Sequence, residues 1–262
     1  MNETELAALV RGAEAAADVA GAVIRPFFRA GVSSDLKSDA SPVTIADRTA
    51  EQVMRAVLSE RFPTHGILGE EFGLQNEGSE LRWVLDPIDG TRAFITGRPS
   101  FGTLIALLDG DTPIIGIIDQ PITGERWVGV RGMATRFRGP FGGTPATRAC
   151  PTLARAELGA TTPDMFVGAD AASWARLTRA VGRTYYGGDC YTYGLVALGQ
   201  VDISVDATMK VWDWAALVPV IEGAGGRVTD WQGNPLRPGG DGRTLAVGDP
   251  ALLGQALDVL AS

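Results

Sequence analysis

The sequence predicts an α/β fold, with helices and short buried strands following one another along most of the chain. Three observations carry this prediction. Two N-terminal segments repeat apolar residues at three- and four-residue spacing. Short apolar runs ending in carboxylates come next, then a meander of strands. The second half alternates helical and strand-like segments.

Leu6, Leu9, Val10, Ala13, Ala17, Ala20, Ile24 and Phe27 fall on one helical face. They predict an amphipathic helix of about six or seven turns, bent or ended by Pro26. A polar loop over Gly31–Pro42 follows. Thr44-Ile45-Ala46-Asp47 has the form of a helix start, a hydroxyl cap with an acid three residues on. Ile45, Val53, Met54, Val57 and Leu58 supply that helix's apolar stripe, and Pro63 closes it. Ile67-Leu68-Gly69 and Trp83-Val84-Leu85 read as buried strands. Residues 104–108 and 114–118 form a hairpin turning at Asp109-Gly110, and 125–130 extend it. Asp109-Gly110-Asp111-Thr112 has an outward likeness to the aspartyl-phosphate hydrolases. Pro113 stands where they need Thr or Val, so the segment reads as a hairpin turn. Gly142-Gly143-Thr144 lacks the lysine and the spacing of a phosphate loop.

The Gly-, Arg- and Thr-rich stretch 131–150 marks a boundary between halves, 1–140 and 141–262, which together form one compact unit. Beyond it, helices are expected near 170–181, 191–198 and 214–222, with Gly223 and Gly225 as stop signals. Strands are expected at 184–186, 201–205, 227–229 and 245–247. Asp249-Pro250 opens a last helix.

Bulk properties exclude several classes. The 262 residues are 45% apolar and 21% charged, which is globular composition. The net charge of −8 comes without a Lys/Arg cluster, so no nucleic-acid partner is expected. The apolar runs are too short for a membrane span. The acidic start Met1-Asn2-Glu3-Thr4-Glu5 is unlike a signal peptide, and a cytoplasmic location is expected. Two distant cysteines, Cys150 and Cys190, make neither a thiolate zinc site nor a disulfide framework. The single histidine, His65, leaves too few imidazoles for phosphohistidine chemistry or a His-rich metal centre, and it reads as part of a surface turn.

Carboxylates gather at strand ends, where open α/β sheets bind ligands. Glu70 and Glu71 follow one strand; Asp86 follows the next, with Asp89 three residues on. Pro87 and Gly90 hold a tight turn that can aim Asp86, the Ile88 carbonyl and Asp89 at one point. An all-oxygen site of this kind selects Mg²⁺ first, and paired ions suit phosphoryl transfer. Gly90-Thr91-Arg92 would present N–H groups to a phosphate. Two ordinary surface turns would give the same Asp-Pro and Asp-Gly dipeptides.

Asp86-Pro87-Ile88-Asp89-Gly90-Thr91, with Gly69-Glu70-Glu71 before it and Trp212-Asp213 after it, resembles the three signatures of the inositol-monophosphatase-like phosphatases. The resemblance covers essentially the whole chain. It implies a layered αβαβα sandwich and a magnesium-dependent phosphomonoesterase using two or three ions. It implies metal ligands Glu70, Asp86, the Ile88 carbonyl, Asp89 and Asp213, with Glu70 and Asp89 also serving catalysis. It implies a water activated by Thr91 hydrogen-bonded to Asp47, a phosphate held at Gly90 and Thr91, and a homodimer. By sequence alone Asp47 reads better as a plain helix cap, and Asp213 as a capping acid at the start of a helix; only the resemblance gives them further roles.

Phe94-Ile95-Thr96-Gly97-Arg98-Pro99 with Phe101–Leu108, Ile118-Asp119-Gln120-Pro121 with Glu125-Arg126-Trp127, and Gly188-Asp189-Cys190-Tyr191 look like the histidinol-phosphate phosphatases of this superfamily. The expected substrate is accordingly a small phosphate monoester, L-histidinol phosphate. Its ammonium calls for carboxylates not consumed by metal. Asp189 and Asp206 are the candidates; each also reads as a turn residue. Lys210 pairs with Asp206 or is a solvated charge. A tyrosine, from Tyr185, Tyr186, Tyr191 and Tyr193, either stacks on the imidazole or packs the core. The alternatives are an inositol or other sugar or nucleotide phosphatase, phosphoadenosine phosphate included, and a non-enzymatic interaction protein retaining the fold.

Overall fold

The computed structural model describes residues 2–36 and 42–262. In chain order it contains α1 (Glu3–Ile24), β1 (Ser34–Leu36), β2 (Pro42–Thr44), α2 (Ile45–Arg61), β3 (Gly66–Gly69), β4 (Gly73–Gln75), β5 (Leu81–Asp89), α3 (Thr91–Ile95), β6 (Gly102–Asp109), β7 (Thr112–Gln120), β8 (Glu125–Val130) and β9 (Arg136–Arg138). These are followed by β10 (Glu157–Ala160), α4 (Ala169–Ala180), β11 (Arg183–Tyr186), α5 (Asp189–Ala197), β12 (Ile203–Asp206), α6 (Val211–Trp214), α7 (Leu217–Gly223), β13 (Arg227–Thr229), β14 (Thr244–Val247) and α8 (Ala251–Ala261). The α1 helix gives way to a 3₁₀ turn over Arg25–Phe27 at Pro26. The middle of the predicted Gly31–Pro42 loop lies outside the described residues.

Seven strands form one sheet in the order β4-β3-β5-β6-β7-β8-β9, and five form another in the order β11-β10-β12-β14-β13. Trp83 and Leu85 of β5, with Ile105 and Leu107 of β6, pack under α1 and α2. The intervening Val84, Leu104, Ala106 and Leu108 face α5, α6 and α7. Burial on both faces explains why residues 104–108 are apolar without alternation. On the far side of the second sheet, Leu158, Ile203, Val205, Leu245 and Val247 pack against α4 and α8. The layers therefore run αβαβα.

The fold departs from the sequence-based expectation in several places. Ile45 is 53% exposed, and the buried face of α2 is Ala46, Asp47, Ala50, Glu51, Met54 and Leu58. Small alanines admit α1 closely, and two of the inward residues are acids. The helix expected at 214–222 is two, α6 and α7, the first beginning at Val211. β1, β2, β4, β9 and β10 were not expected; β10 is an interior strand flanked in parallel by β11 and β12. His65 lies in a surface turn as expected, half-buried, with its ring stacked on Phe62 and against Trp83.

The contact of α7 with β8 demands a bare backbone. A Cβ on Gly129 would stand 2.3 Å from the Pro219 carbonyl carbon and the Val220 nitrogen. Gly129→Ala must push α7 off the sheet, an overpacking cost of about 1–3 kcal/mol. The expected result is a lower urea midpoint at unchanged m; an unaltered midpoint would mean that this interface yields freely.

Candidate active site

β5 carries the centre of the site. Its ladder with β6 is regular up to Asp86, opposite Leu104, and resumes at Asp89, opposite Gly102, with an irregularity between. Such a bulge re-aims side chains. Asp86 Oδ1 accepts the Ile88 N–H at 3.0 Å, and the Pro87 carbonyl accepts the buried Thr103 hydroxyl at 2.8 Å. The Asp-Pro-Ile-Asp segment is thus a bulged end of β5, where the sequence predicts a tight turn after the strand, and it is held from within and from the neighbouring strand.

Asp86, Asp89 and Asp213 bring one carboxylate oxygen each within 4.8 Å of one another. Asp213 comes from α6, 124 positions after Asp89 by their numbering (213 − 89), and its Oδ2 accepts the Lys210 N–H at 2.7 Å. Asp89 Oδ2 accepts the Cys190 N–H at 2.7 Å, at the start of α5. Glu70 continues from β3, its N–H on the Leu85 carbonyl at 3.2 Å. Burial, then the charges of Glu70, Asp89 and Asp213, hold the Asp86 carboxyl well above the ordinary carboxylate range. Burial, then Asp213 and Asp189, do the same to Asp89. Asp213 is pushed up to about 7, by burial first and Glu70 next. Mutually repelling, oxygen-only donors of this kind fit a hard divalent cation, which would relieve the repulsion.

Thr91 opens α3. Its hydroxyl lies 3.2 Å from the Ile88 carbonyl and 3.4 Å from Asp47 Oδ1. Asp47 is also the third residue of a capping box: its Oδ2 accepts the Thr44 N–H at 2.8 Å and the Thr44 hydroxyl at 2.5 Å. Capping and contact with Thr91 therefore coexist on the two oxygens of one carboxylate. Burial raises its pKa against the Thr44 hydrogen bonds. Gly90 has φ +87°, and a Cβ there would lie 2.8–3.1 Å from the Asp189 side chain. Both facts exclude an ordinary residue.

A cavity of about 130 Å³ adjoins Asp89 and Asp213, and is lined also by Thr161, Met165, Asp189, Cys190, Tyr193 and Asp206. A cleft of about 470 Å³ over Glu70, Gly90, Thr91 and Arg92 shares Thr161, Met165 and Asp189 with it. Asp189 is raised to about 6 by burial, against Arg98, Ser100 and Arg92. Asp206 is 2% exposed. It accepts the Thr161 N–H and the Tyr193 hydroxyl, 2.8 and 2.7 Å, and burial raises it to about 6. The predicted carboxylates thus meet in one place. Lys210 enters through its backbone, and its side chain is exposed. Among the tyrosines, Tyr193 lines the small cavity, Tyr191 donates to Glu125 at 2.7 Å, and Tyr186 is exposed.

The segments that carried the finer resemblance also converge. Arg126 bonds Asp119, and Gln120 accepts the N–H groups of Ile122 and Thr123. Glu125 holds Tyr191 on α5, the helix whose first residues are Asp189 and Cys190. Sequence reasoning missed Thr103, the Cys190 N–H and Glu51, whose carboxylate accepts the N–H groups of Glu71 and Phe72 just after Glu70. Only Glu51 left a signal, a charge on the inward stripe of α2.

The sequence matches the Inositol monophosphatase family over residues 5–259. The chain belongs to that family. It is 46% identical over 235 residues to a protein named bifunctional phosphatase IMPL2, chloroplastic, of Arabidopsis thaliana, covering 89% of this chain and 67% of that one. It is 37% identical over 208 residues to a histidinol-phosphatase of Mycobacterium tuberculosis, covering 76% and 78%. A solved inositol monophosphatase from Zymomonas mobilis superposes with a TM-score of 0.89 at 47% identity over the whole of both chains. The family makes the chain a phosphatase, and the acidic cluster its candidate metal centre. Among the described residues no helix is long and apolar enough to cross a membrane.

Proposed function

We propose that the protein hydrolyses L-histidinol phosphate to L-histidinol and phosphate, with Mg²⁺, in histidine biosynthesis. One observation carries the reading. Beside the three clustered carboxylates lies a small cavity bearing two more, Asp189 and Asp206. A site that keeps acids beyond those needed for metal suits a leaving alcohol that bears an ammonium. The histidinol-phosphatases among its relatives support the same choice. The second reading, an inositol monophosphatase, has the likeness to the Zymomonas protein in its favour.

In this reading Glu70, Asp86, the Ile88 carbonyl, Asp89 and Asp213 hold two or three Mg²⁺. When bound, the ions supply Lewis-acid polarisation of the phosphate and a more readily ionised water. Thr91 Oγ1 accepts the attacking water's hydrogen bond and passes its own to Asp47 Oδ1, where the proton can rest. The N–H groups of Gly90 and Thr91, unpaired within α3 as at any helix start, orient the phosphate. Asp189 and Asp206 receive the substrate's ammonium. The segments 1–140 and 141–262 act as one catalytic unit, in a homodimer.

Hydrolysis rates with Mg²⁺ on L-histidinol phosphate, inositol 1-phosphate and phosphoadenosine phosphate test the substrate. Equal or faster turnover of the inositol ester would defeat the proposal. A charged hydrogen bond is worth about 1.5–3 kcal/mol, so Asp189→Asn should raise KM for histidinol phosphate at least about tenfold. An aryl phosphate, with no ammonium, should be affected much less. Equal effects on both esters would remove Asp189 from recognition.

A further inference from the structure

We infer that Glu51 is a positioning residue for Glu70, fixing the turn from which Glu70 reaches the metal centre and thereby setting the affinity for Mg²⁺. The inference rests on the reading of Glu70 as a ligand.

Glu51 is 0% exposed. A carboxylate so deep is costly unless its oxygens are well bonded. Its Oε1 accepts Arg55 Nε at 2.7 Å and the Phe72 N–H at 3.2 Å, and its Oε2 accepts the Glu71 N–H at 2.7 Å. On the other flank of Glu70, a Cβ on Gly69 would stand 1.9 Å from Glu51 Oε1. One carboxylate therefore lies against the residue before Glu70 and bonds the two residues after it. Arg55 carries the clamp onward to the Ile67 and Gly73 carbonyls, across both strands of the β3–β4 hairpin. The inward face of α2 is otherwise built from Ala46, Ala50, Met54 and Leu58 around Asp47. Nothing in that packing calls for an acid at 51. The hairpin turn does, because its N–H groups point into the protein and need an acceptor.

Asp47 and Glu51 are four residues apart, on one face of α2. The first meets Thr91; the second meets the turn bearing Glu70. One helix thus sets two separate parts of the site.

Calorimetric titration of the metal-stripped full chain with Mg²⁺ tests this, using Glu51→Gln, Glu70→Gln and the double variant. The amide at 51 keeps the size but turns a donor toward the turn's N–H groups. Outer groups that orient ligands typically cost about 10–100-fold in metal affinity when altered. That loss is expected for Glu51→Gln, with the Mg²⁺ concentration for half-maximal activity rising in parallel and kcat at saturating Mg²⁺ falling by much less. On the Glu70→Gln background the Glu51 change should cost nothing further, since its effect runs through Glu70. If Glu51→Gln does not fold, Glu51→Asp takes its place, retaining the charge but withdrawing it from the turn, with the same results expected. Affinity unchanged by the 51 substitution, or lowered again on the Glu70→Gln background, overturns the inference while Glu70 stands as a ligand. Affinity unchanged in Glu70→Gln itself overturns the ligand reading and the inference with it.

Discussion

Asp86→Asn is expected to lower kcat/KM about a thousandfold or more, and at the same time to raise the melting temperature of the metal-free protein. The two effects share one cause. Asp86 is buried amid Glu70, Asp89 and Asp213, whose charges disfavour its own. An amide removes that repulsion and keeps the shape, so the apo protein gains. It also removes a formal charge from the centre that must hold the cation and meet developing phosphate charge. A thousandfold loss corresponds to about 4 kcal/mol, within reach of a single strong electrostatic contact in such a site. Steady-state kinetics and a thermal melt in EDTA measure both. Full activity in the variant would show the metal centre to lie elsewhere; an activity loss with a lower apo melting temperature would show Asp86 to be a structural prop.

Mg²⁺ is expected to stabilise the protein little at pH 5 and strongly at pH 8. In the metal-free state Asp213 titrates at about 7, with Asp86 and Asp89 also raised. A carboxyl raised on folding favours the native state while protonated. Its contribution is complete below the unfolded value, about 4, and is lost as pH climbs through the folded value. The apo protein should therefore melt lower as pH rises from about 5 to 8. Mg²⁺ binds the ionised carboxylates and so compensates most where they are ionised. At a hundredfold excess over Kd it contributes about 2.7 kcal/mol, about 5–10 °C for a chain of this size. A Mg²⁺-induced shift equal at pH 5 and pH 8 would mean that these acids do not bind the ion.

Much of this was legible in the sequence, for uneven reasons. The Asp86–Thr91 turn and the strands leading to it were readable because strand ends, turn residues and carboxylates coincide there. Asp47 and Asp213 were ambiguous locally, since each makes a capping bond, to Thr44 and Lys210, that looks the same whether or not the other oxygen serves the site. β10 escaped because Glu157-Leu158-Gly159-Ala160 has one large apolar residue. Its burial comes from lying between two parallel strands, with Thr192 and Tyr185 over Gly159. Glu51 broke the apolar stripe of α2, and only the hairpin folded against it explains why.

Gly90 and Asp189 are in contact across the fold, the glycine leaving no room for a Cβ beside that side chain. This binds the two positions together in heredity. A lineage drifting toward another alcohol cannot enlarge residue 189 without crowding the phosphate turn, whereas Tyr193 and Asp206 line the small cavity and not the cleft over that turn. New specificities in this scaffold should arise from the second sheet's side of the cavity, with the Gly90–Asp189 pair changing together or not at all.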